Sequence, residues 1–413
     1  MQRQMAEWYR YALASAWALM LGTTASWSQS LTWLGTLGSY PSEAWDISDD
    51  GSVIVGYSRN PAGYRRAFRW TRETGMQDLG TLGGNESWAF GVSADGNVIV
   101  GAAQNAAGRF RAFRWTQATG MQELGTLTGS QGSQSWAYDV SADGRVVVGW
   151  SHSVTGYEHA FRWTADGGMQ DLGTLSGYVR SFAYGVSADG SVVVGESGSG
   201  QGYGYAFRWT QSTGMQSLGL GRDLSSVATA ASRDGAIVVG WVFNTGAFRW
   251  TQEGGVQYLP RPTGSSSSVI KAYGVSADGS TIVGMVGDGG AVRWTQSGGE
   301  ILSRTYSSLL RGNAWLTEAR AVSPHGRYIV GWGAHTFTGA TRNEAYLLDT
   351  QPSCNAHNGD VDRSGCVDDA DLLAVLFAFG NTGDDLGRVD TNCDGVVDDA
   401  DLLIALFNFG NGC

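Results

Sequence analysis

The chain is predicted to be all-β over most of its length, as a seven-bladed propeller of four-stranded blades, with a small helical module after it. Three observations predict this. A phrase recurs with a nearly constant period, each copy holds four strand-like segments, and the first and last copies are complementary fragments. The phrase reads A-x-G-V-S-A-D-G-S-V-V-V-G, a variable stretch, A-F-R-W-T-Q-x-T-G-M-Q, then L-G-T-L. Its turn glycine falls at Gly51, Gly96, Gly144, Gly190, Gly235, Gly279 and Gly326, at spacings of 45, 48, 46, 45, 44 and 47. A period of 40–50 residues with four strands per copy is the signature of a propeller blade. A solenoid of stacked β-sheets is the alternative that the same repeat allows.

The copy around Gly190 shows the four strands. Ala183-Tyr184-Gly185-Val186 is the first, and Asp189-Gly190 supplies a hairpin turn because glycine accepts positive φ. Ser191-Val192-Val193-Val194 is β-branched, as a buried strand requires. Ala206-Phe207-Arg208-Trp209-Thr210 alternates, so Phe207 and Trp209 share a face opposite Arg208. Met215-Gln216-Ser217-Leu218 is the fourth. No window keeps a 3.6-residue period, which argues against helix here. The seventh copy ends at Ala345-Tyr346-Leu347-Leu348 without its last strand, and Leu31-Thr32-Trp33-Leu34-Gly35-Thr36-Leu37 has no copy before it. The N-terminal strand is therefore expected to complete the last blade and close the ring, which removes two open sheet edges.

At these residues the chain resembles the bacterial extracellular HAF-repeat family over about residues 31–350. The tripeptide itself occurs at His159-Ala160-Phe161, with Arg, Tyr or Gly in place of His elsewhere. The resemblance implies an exported propeller-like protein and specifies no reaction.

Export is also read from the N-terminus. Arg3 and Arg10 precede an apolar run from Tyr11 to Leu21, and small residues follow, with cleavage expected after Ala25 or Ser28. The run is too short to span a bilayer, so a secreted or cell-surface location without a membrane span is expected. The expected organisation is a signal peptide over 1–28, the propeller over 29–350, a linker over 351–353 and a C-terminal domain over 354–413.

The net charge of −11 is unevenly placed. Residues 354–413 hold twelve Asp against Arg363 and Arg388, a balance of −10, which leaves about −1 for the rest. No basic stripe is present, and nucleic-acid binding is excluded on that ground. All four cysteines, Cys354, Cys366, Cys393 and Cys413, lie in the same sixty residues, which suggests two disulfides in an exported module. Of the three pairings, Cys354–Cys413 with Cys366–Cys393 is favoured. A zinc site is the alternative, but no C-x-x-C pair exists.

This tail contains one motif twice. In the first copy Asp360, Asp362, Ser364, Asp368 and Asp371 fall at loop positions 1, 3, 5, 9 and 12, with Gly365 at 6 and the Cys366 carbonyl at 7. In the second, Asp390, Asn392, Asp394, Asp398 and Asp401 take the same places, with Gly395 at 6 and the Val396 carbonyl at 7. That spacing wraps a short backbone round a hard cation, so two Ca2+ sites are expected. Each loop runs into an apolar segment, Leu372–Phe379 and Leu402–Phe409, that ends at Gly-Asn, a helix C-terminus signal. Leu372, Val375, Leu376 and Phe379 are expected on one face. The duplicated loop–helix resembles a type I dockerin over residues 354–413, which implies one calcium per loop and docking onto a cohesin-like or cell-envelope protein. The positions that usually carry Ser/Thr and Lys/Arg for that docking hold Asp369-Ala370, Asp399-Ala400, Leu376-Phe377 and Leu406-Phe407 instead. The last two pairs either contact a different partner or pack the two helices together, and packing is the favoured expectation.

Catalytic patterns are absent. His152, His159, His325, His335 and His357 are scattered, and no nucleophile elbow or zincin motif occurs. The S-A-D-G phrase resembles the Asp-box of sialidase propellers but lacks its tryptophan, and reads as a hairpin turn. Arg69, Arg114, Arg162, Arg208, Arg249 and Arg293, with the Trp that follows each, recur in six blades and read as blade architecture. The non-repeating aromatics Trp45, Tyr64, Phe110, Trp150, Tyr157, Tyr178, Tyr203, Trp241 and Trp315 are the ligand candidates, with carbohydrate as one ligand class. The function expected is a secreted, non-enzymatic binding or scaffold protein. A carbohydrate-active propeller enzyme is the alternative, for which Glu86, Glu158, Glu196 and Glu318 break the repeat. A purely structural surface-layer component is a further rival.

Overall fold

The computed structural model describes residues 29–199, 204–220, 224–337, 340–350, 359–361, 366–381, 389, 391 and 397–410. Ser30–Thr350 is one compact unit, and the described residues after Gln351 belong to another.

The first unit is a seven-bladed propeller of four-stranded antiparallel sheets. Blade three shows the pattern: Ser135–Val140 innermost, then Val147–His152, Glu158–Thr164 and Gly168–Asp171 outermost. In blade seven the outermost place is taken by Ser30–Trp33, which pairs with Ala340–Asp349 in the register Leu31↔Leu348 and Trp33↔Tyr346. The apolar core lies between neighbouring blades, where Val146 and Val148 of blade three pack on Val186, Val193, Phe207 and Trp209 of blade four. The recurrent tryptophan is thus an inter-blade contact. The recurrent arginine ties blades at their turns: Arg114, Arg162 and Arg208 donate to the carbonyls of Gly144, Gly190 and Gly235 in the next blade.

The constant phrase has local causes. Ser141 Oγ donates to Asp143 Oδ1 at 2.7 Å and accepts the Val146 N–H at 2.9 Å, while Asp143 accepts the Arg145 N–H. Gly144 closes this turn at φ 70°. The bond from Ser141 holds the Asp143 carboxyl below its ordinary value. An inner-strand serine links each of several blade pairs. Ser181 Oγ accepts the Ala160 N–H and donates to the Gly173 carbonyl, and Ser42 likewise joins Ala345 of blade seven to Gly35.

Every inner strand carries a β-bulge. In blade three Ala137 faces Gly149 and Asp139 faces Val148, so Tyr138 is an extra residue with no partner. The glycine opposite is required by close approach, since a Cβ on Gly149 would sit 1.9 Å from the Trp136 carbonyl oxygen. The final glycine of V-V-V-G therefore accommodates the bulge.

The sequence places no helix in the propeller. One turn of helix, α1 (Leu302–Thr305), nevertheless connects blades six and seven, where Leu-Ser-Arg-Thr-Tyr replaces the L-G-T-L phrase. Leu302 and Tyr306 are buried there.

In the second unit, α2 (Asp369–Ala378) and α3 (Asp399–Phe407) follow the two loops. Asp368 with Asp371, and Asp398 with Asp401, form capping boxes at the two N-termini. Val397 donates to the Asn381 carbonyl and accepts from Gly380, and Val367 accepts from Gly410, so each loop is tied to the end of the other helix. Val367, Val375, Val397 and Ala405 are fully buried. The expectation that Leu376-Phe377 and Leu406-Phe407 pack the helices together is overturned. Phe377 is 86% and Phe407 73% exposed, with Leu376, Phe379 and Leu406 half exposed. The helices instead meet through small residues near the loops, which leaves the long side chains outward.

Gly149→Ala is expected to lower unfolding free energy by about 3 kcal/mol, because the atoms it would meet are backbone atoms of the ladder that cannot move away. Gly156→Ala, at a positive φ with open space around it, should cost about 1 kcal/mol. Urea unfolding of the two variants measures the difference.

Candidate functional site

The bulge residue of each blade is turned into the central channel. These residues are Trp45, Phe90, Tyr138, Tyr184, Thr229, Tyr273 and Arg320, and together they form one storey of its wall. Bulges re-aim side chains in this way. The cavity they surround has a volume of about 1030 Å³, large for a small-molecule site.

Its lining is lopsided. Blades one to four contribute a run of touching rings. Trp45 meets Phe90 edge-on at 5.0 Å, Phe90 meets Tyr138 at 5.2 Å, and Tyr138 meets Tyr184 at 5.3 Å. Trp88, Phe110, Trp136 and Trp150 extend this stack beside the cavity. Blades five to seven contribute Trp241, Lys271, Glu318 and Arg320. Arg320 lies between Trp45 and Tyr273, 4.3 and 4.4 Å from their centroids, and pairs with Glu318.

Two carboxyls lie one position beyond the bulge. Asp46 accepts the N–H groups of Ile47 and of Val92 in blade two, each at 2.8 Å. Asp139 accepts those of Val140 and of Val186 in blade four, at 2.7 and 2.8 Å. Each therefore joins its blade to the next. Burial pushes Asp139 up to about 7, and burial with the nearby Asp139 charge pushes Asp46 well above the usual carboxylate range. Burial likewise raises Glu43 and Glu196, which accept the phenol hydroxyls of Tyr57 at 2.6 Å and Tyr184 at 2.8 Å.

Among the candidates read from the sequence, Trp45, Trp241, Glu196 and Glu318 line the cavity, and Phe110 and Trp150 join the ring stack. Tyr64, Tyr157 and Trp315 stand at the surface, and Tyr178 packs on Tyr205. Tyr203 lies outside the described residues. Glu158 pairs with Arg180 at 3.1 Å and Glu86 approaches Arg65 at 3.9 Å, and these two do not join Glu196 and Glu318 in the lining. His159 Nδ1 contacts Asp171 at 2.9 Å, as Arg66 contacts Asp78 and Arg111 contacts Glu123 in their blades. The His of the repeat is thus a tie between third and fourth strands. Sequence reasoning missed Asp46, Asp139 and Lys271 as channel residues, and assigned no role to the aromatic storey. The signal was the variation of the second and third positions of the A-x-G-V-S phrase, which hold the bulge residues and, in blades one and three, Asp46 and Asp139.

Of the expected calcium ligands, Asp360, Cys366, Asp368, Asp371, Asp398 and Asp401 are described, and Asp362, Ser364, Asp390, Asn392, Asp394 and Val396 lie outside the described residues. Asp371 and Asp401 are fully buried. Asp371 accepts the N–H groups of Val361 and Asp368 at 2.6 and 2.9 Å, and Asp401 those of Thr391 and Asp398 at 2.6 and 3.0 Å. Among the described residues no group of three His, Cys, Asp or Glu side chains is arranged to hold a metal ion. Cys366 is in a disulfide, and the other three cysteines lie outside the described residues. Among the described residues no helix is long and apolar enough to cross a membrane.

No family model matches the chain, and a search of curated proteins finds no relative. Solved propellers are similar. Oligogalacturonate lyase from Vibrio parahaemolyticus aligns with a TM-score of 0.50 and 12% identity over 77% of this chain and 93% of that one. Puromycin hydrolase aligns at 0.51 and 17% over 79% of this chain and 53% of that one. TolB from Acinetobacter baumannii aligns at 0.42 and 13% over 74% and 65%. At these identities the likeness shows the β-propeller fold alone, and the chain spans only part of the last two proteins.

The ordinary carboxyl value for Asp139 is 3.8 and its value in the fold is about 7. The folded state therefore holds this proton more tightly than the unfolded chain, and the Asp139 contribution to stability falls as pH rises from about 4 to about 7. A carboxyl 13C titration placing the Asp139 midpoint near 7 is the expected result, and a midpoint near 4 contradicts it.

Proposed function

We propose that the chain is a secreted, non-enzymatic binding and scaffold protein. Its propeller is a ligand-binding platform, and its C-terminal module holds two Ca2+ ions and attaches the platform to an extracellular partner. The observation that carries the platform reading is the lopsided lining of the channel. Seven nearly identical blades build a symmetric wall by default, and here the channel lining departs from that symmetry. Loop and lining variation on a constant scaffold is how binding surfaces are made. The carboxylates that an enzyme would use support binding rather than turnover. Glu158 and Glu318 sit in ion pairs, and Asp46 and Asp139 each hold two backbone amides.

The described positions of each predicted calcium loop carry oxygen donors of the kind a hard cation takes. Asp371 and Asp401 are buried carboxylates at position 12 of the two loops. Asp360 and Asp368 of the first loop, with the Cys366 carbonyl, and Asp398 of the second supply further oxygen donors. The positions outside the described residues would complete the two sets. A bound ion would neutralise carboxylates that otherwise repel, and so stabilise the fold of this unit. The attachment reading is supported by the outward Phe377 and Phe407, equivalent residues on two equivalent helices. With calcium present, these offer a paired apolar surface to a cohesin-like or envelope protein.

Calorimetry on the full chain should show two calcium sites, and circular dichroism should lose helical signal in excess chelator. A pull-down from secreted and envelope fractions should retain a partner in calcium alone. Phe377→Ser with Phe407→Ser should abolish that capture while calcium binding stays intact. Helical signal indifferent to chelator, or capture unaffected by both changes, refutes the respective half of the reading.

A further inference from the structure

The charges along the channel are almost all compensated. Arg320 pairs with Glu318 and Arg180 with Glu158, while Asp46 and Asp139 are each held by two backbone amides. Two side chains in the cavity lack a partner of opposite charge among the described residues. Glu196 accepts the Tyr184 hydroxyl at 2.8 Å and is in no ion pair. Lys271 places Nζ 4.7 Å above the Trp241 ring and is in no ion pair either.

Both residues break the repeat. Glu196 occupies the slot that holds Tyr57, Ala102, Trp150, Trp241, Met285 and Trp332 in the other blades. Lys271 occupies the slot of Glu43, Trp88, Trp136, Phe182, Val227 and Glu318. They stand on blades four and six. Between them the inner strand of blade five lines the cavity with the small Val227 and Thr229, where its neighbours carry Phe182 with Tyr184 and Lys271 with Tyr273, and Trp241 and Phe243 of the same blade stand beside them. One unpaired negative group and one unpaired positive group thus flank a blade whose inner strand carries small side chains, with aromatic rings beside them.

We propose that this sector of the channel binds a short peptide with free termini, its ammonium at Glu196, its carboxylate at Lys271 and an apolar side chain against the flanking rings. A half-buried charge without a partner is a cost in the empty protein that a complementary ligand removes. The two groups are separated by a whole blade, so the ligand needs charges further apart than those of a single amino acid. A di- or tripeptide spans about 7–10 Å between its ends. The raised carboxyl of Glu196 agrees with this, since an arriving ammonium supplies the charge it lacks.

This proposal rests on the reading of the propeller as a binding platform. Calorimetry on the full chain compares phenylalanine, Gly-Phe and Gly-Gly-Phe with the N-acetylated and C-amidated tripeptide. The free di- or tripeptide should bind best, and each cap should weaken binding at least tenfold. Glu196→Gln should erase the effect of the acetyl cap, and Lys271→Met that of the amide, with thermal midpoints unchanged in both variants. Capped peptides that bind as well as free ones, or no peptide binding at millimolar concentration, overturn the proposal. Binding of a neutral oligosaccharide that both variants retain would overturn it and leave the platform reading intact. Cleavage of the bound peptide would overturn the non-enzymatic reading while leaving this site assignment standing.

Discussion

The whole propeller depends on one steric constraint, the glycine that faces a bulge in each blade. The inner strand carries one residue more than its neighbour, so a backbone carbonyl is pressed toward the second strand. At Gly149 that oxygen would lie 1.9 Å from any Cβ, and the equivalent glycines of the other blades meet the same obstacle within 2.0 Å. The alanine before the bulge and the valines after it stay in the ladder and fill the inter-blade core. Only the extra residue is released from the sheet's alternation. Channel lining is thereby uncoupled from blade packing, and Tyr138 can stand where another blade has Thr229 or Arg320 without disturbing its core.

A second constraint concerns how the ring closes. At the turn end, backbone bonds run from blade to blade, from Asp49 to Ala94, Ala142, Ala188, Arg233, Ala277 and Pro324 in turn. Proline has no N–H, so Pro324 cannot pass the chain of bonds on to blade one. The seam between blades seven and one is held by other means. Ser30–Trp33 pairs with the last strand, Ser42 accepts the Ala345 N–H, and Glu344 accepts that of Gly35. The decayed last copy and the displaced N-terminal strand are thus two sides of one arrangement. Where the repeat loses its backbone link, the covalent ends of the propeller supply a sheet instead.

This explains what could be read in advance. The period, the four strands, the turn glycines and the missing strand are set by local rules that repeat seven times, so each copy corroborates the others. The inter-blade role of Trp209 and its equivalents follows from the same regularity. The bulge was hidden because it never varies: an extra residue in every copy leaves the spacing intact. The channel was legible only in part: Trp45, Trp241, Glu196 and Glu318 stood out because they break the repeat, but nothing local says that the bulge residues of all seven copies meet round one axis. The place of Arg320 between Trp45 of blade one and Tyr273 of blade six, and the joining of blades by Asp46 and Asp139, arise only when distant copies are brought round one axis. α1 was missed because a single turn gives no periodic signal.

The helical unit fails a sequence expectation for a related reason. A run such as Leu372–Phe379 looks like a core helix, since apolar residues ordinarily find burial. Here the buried positions are Val367, Val375, Val397 and Ala405, which are small and close to the loops. Two short helices that touch at such residues bury little surface, and a unit of this size is marginal on apolar burial alone. The loop carboxylates, the disulfide at Cys366 and the exchange of backbone bonds between Val397 and Gly380 therefore carry an unusual share of its order. An architecture held together at its loops leaves the far faces of its helices without an internal role. The calcium and attachment readings are for that reason one argument: whatever fixes the loops also fixes the direction in which Phe377 and Phe407 point.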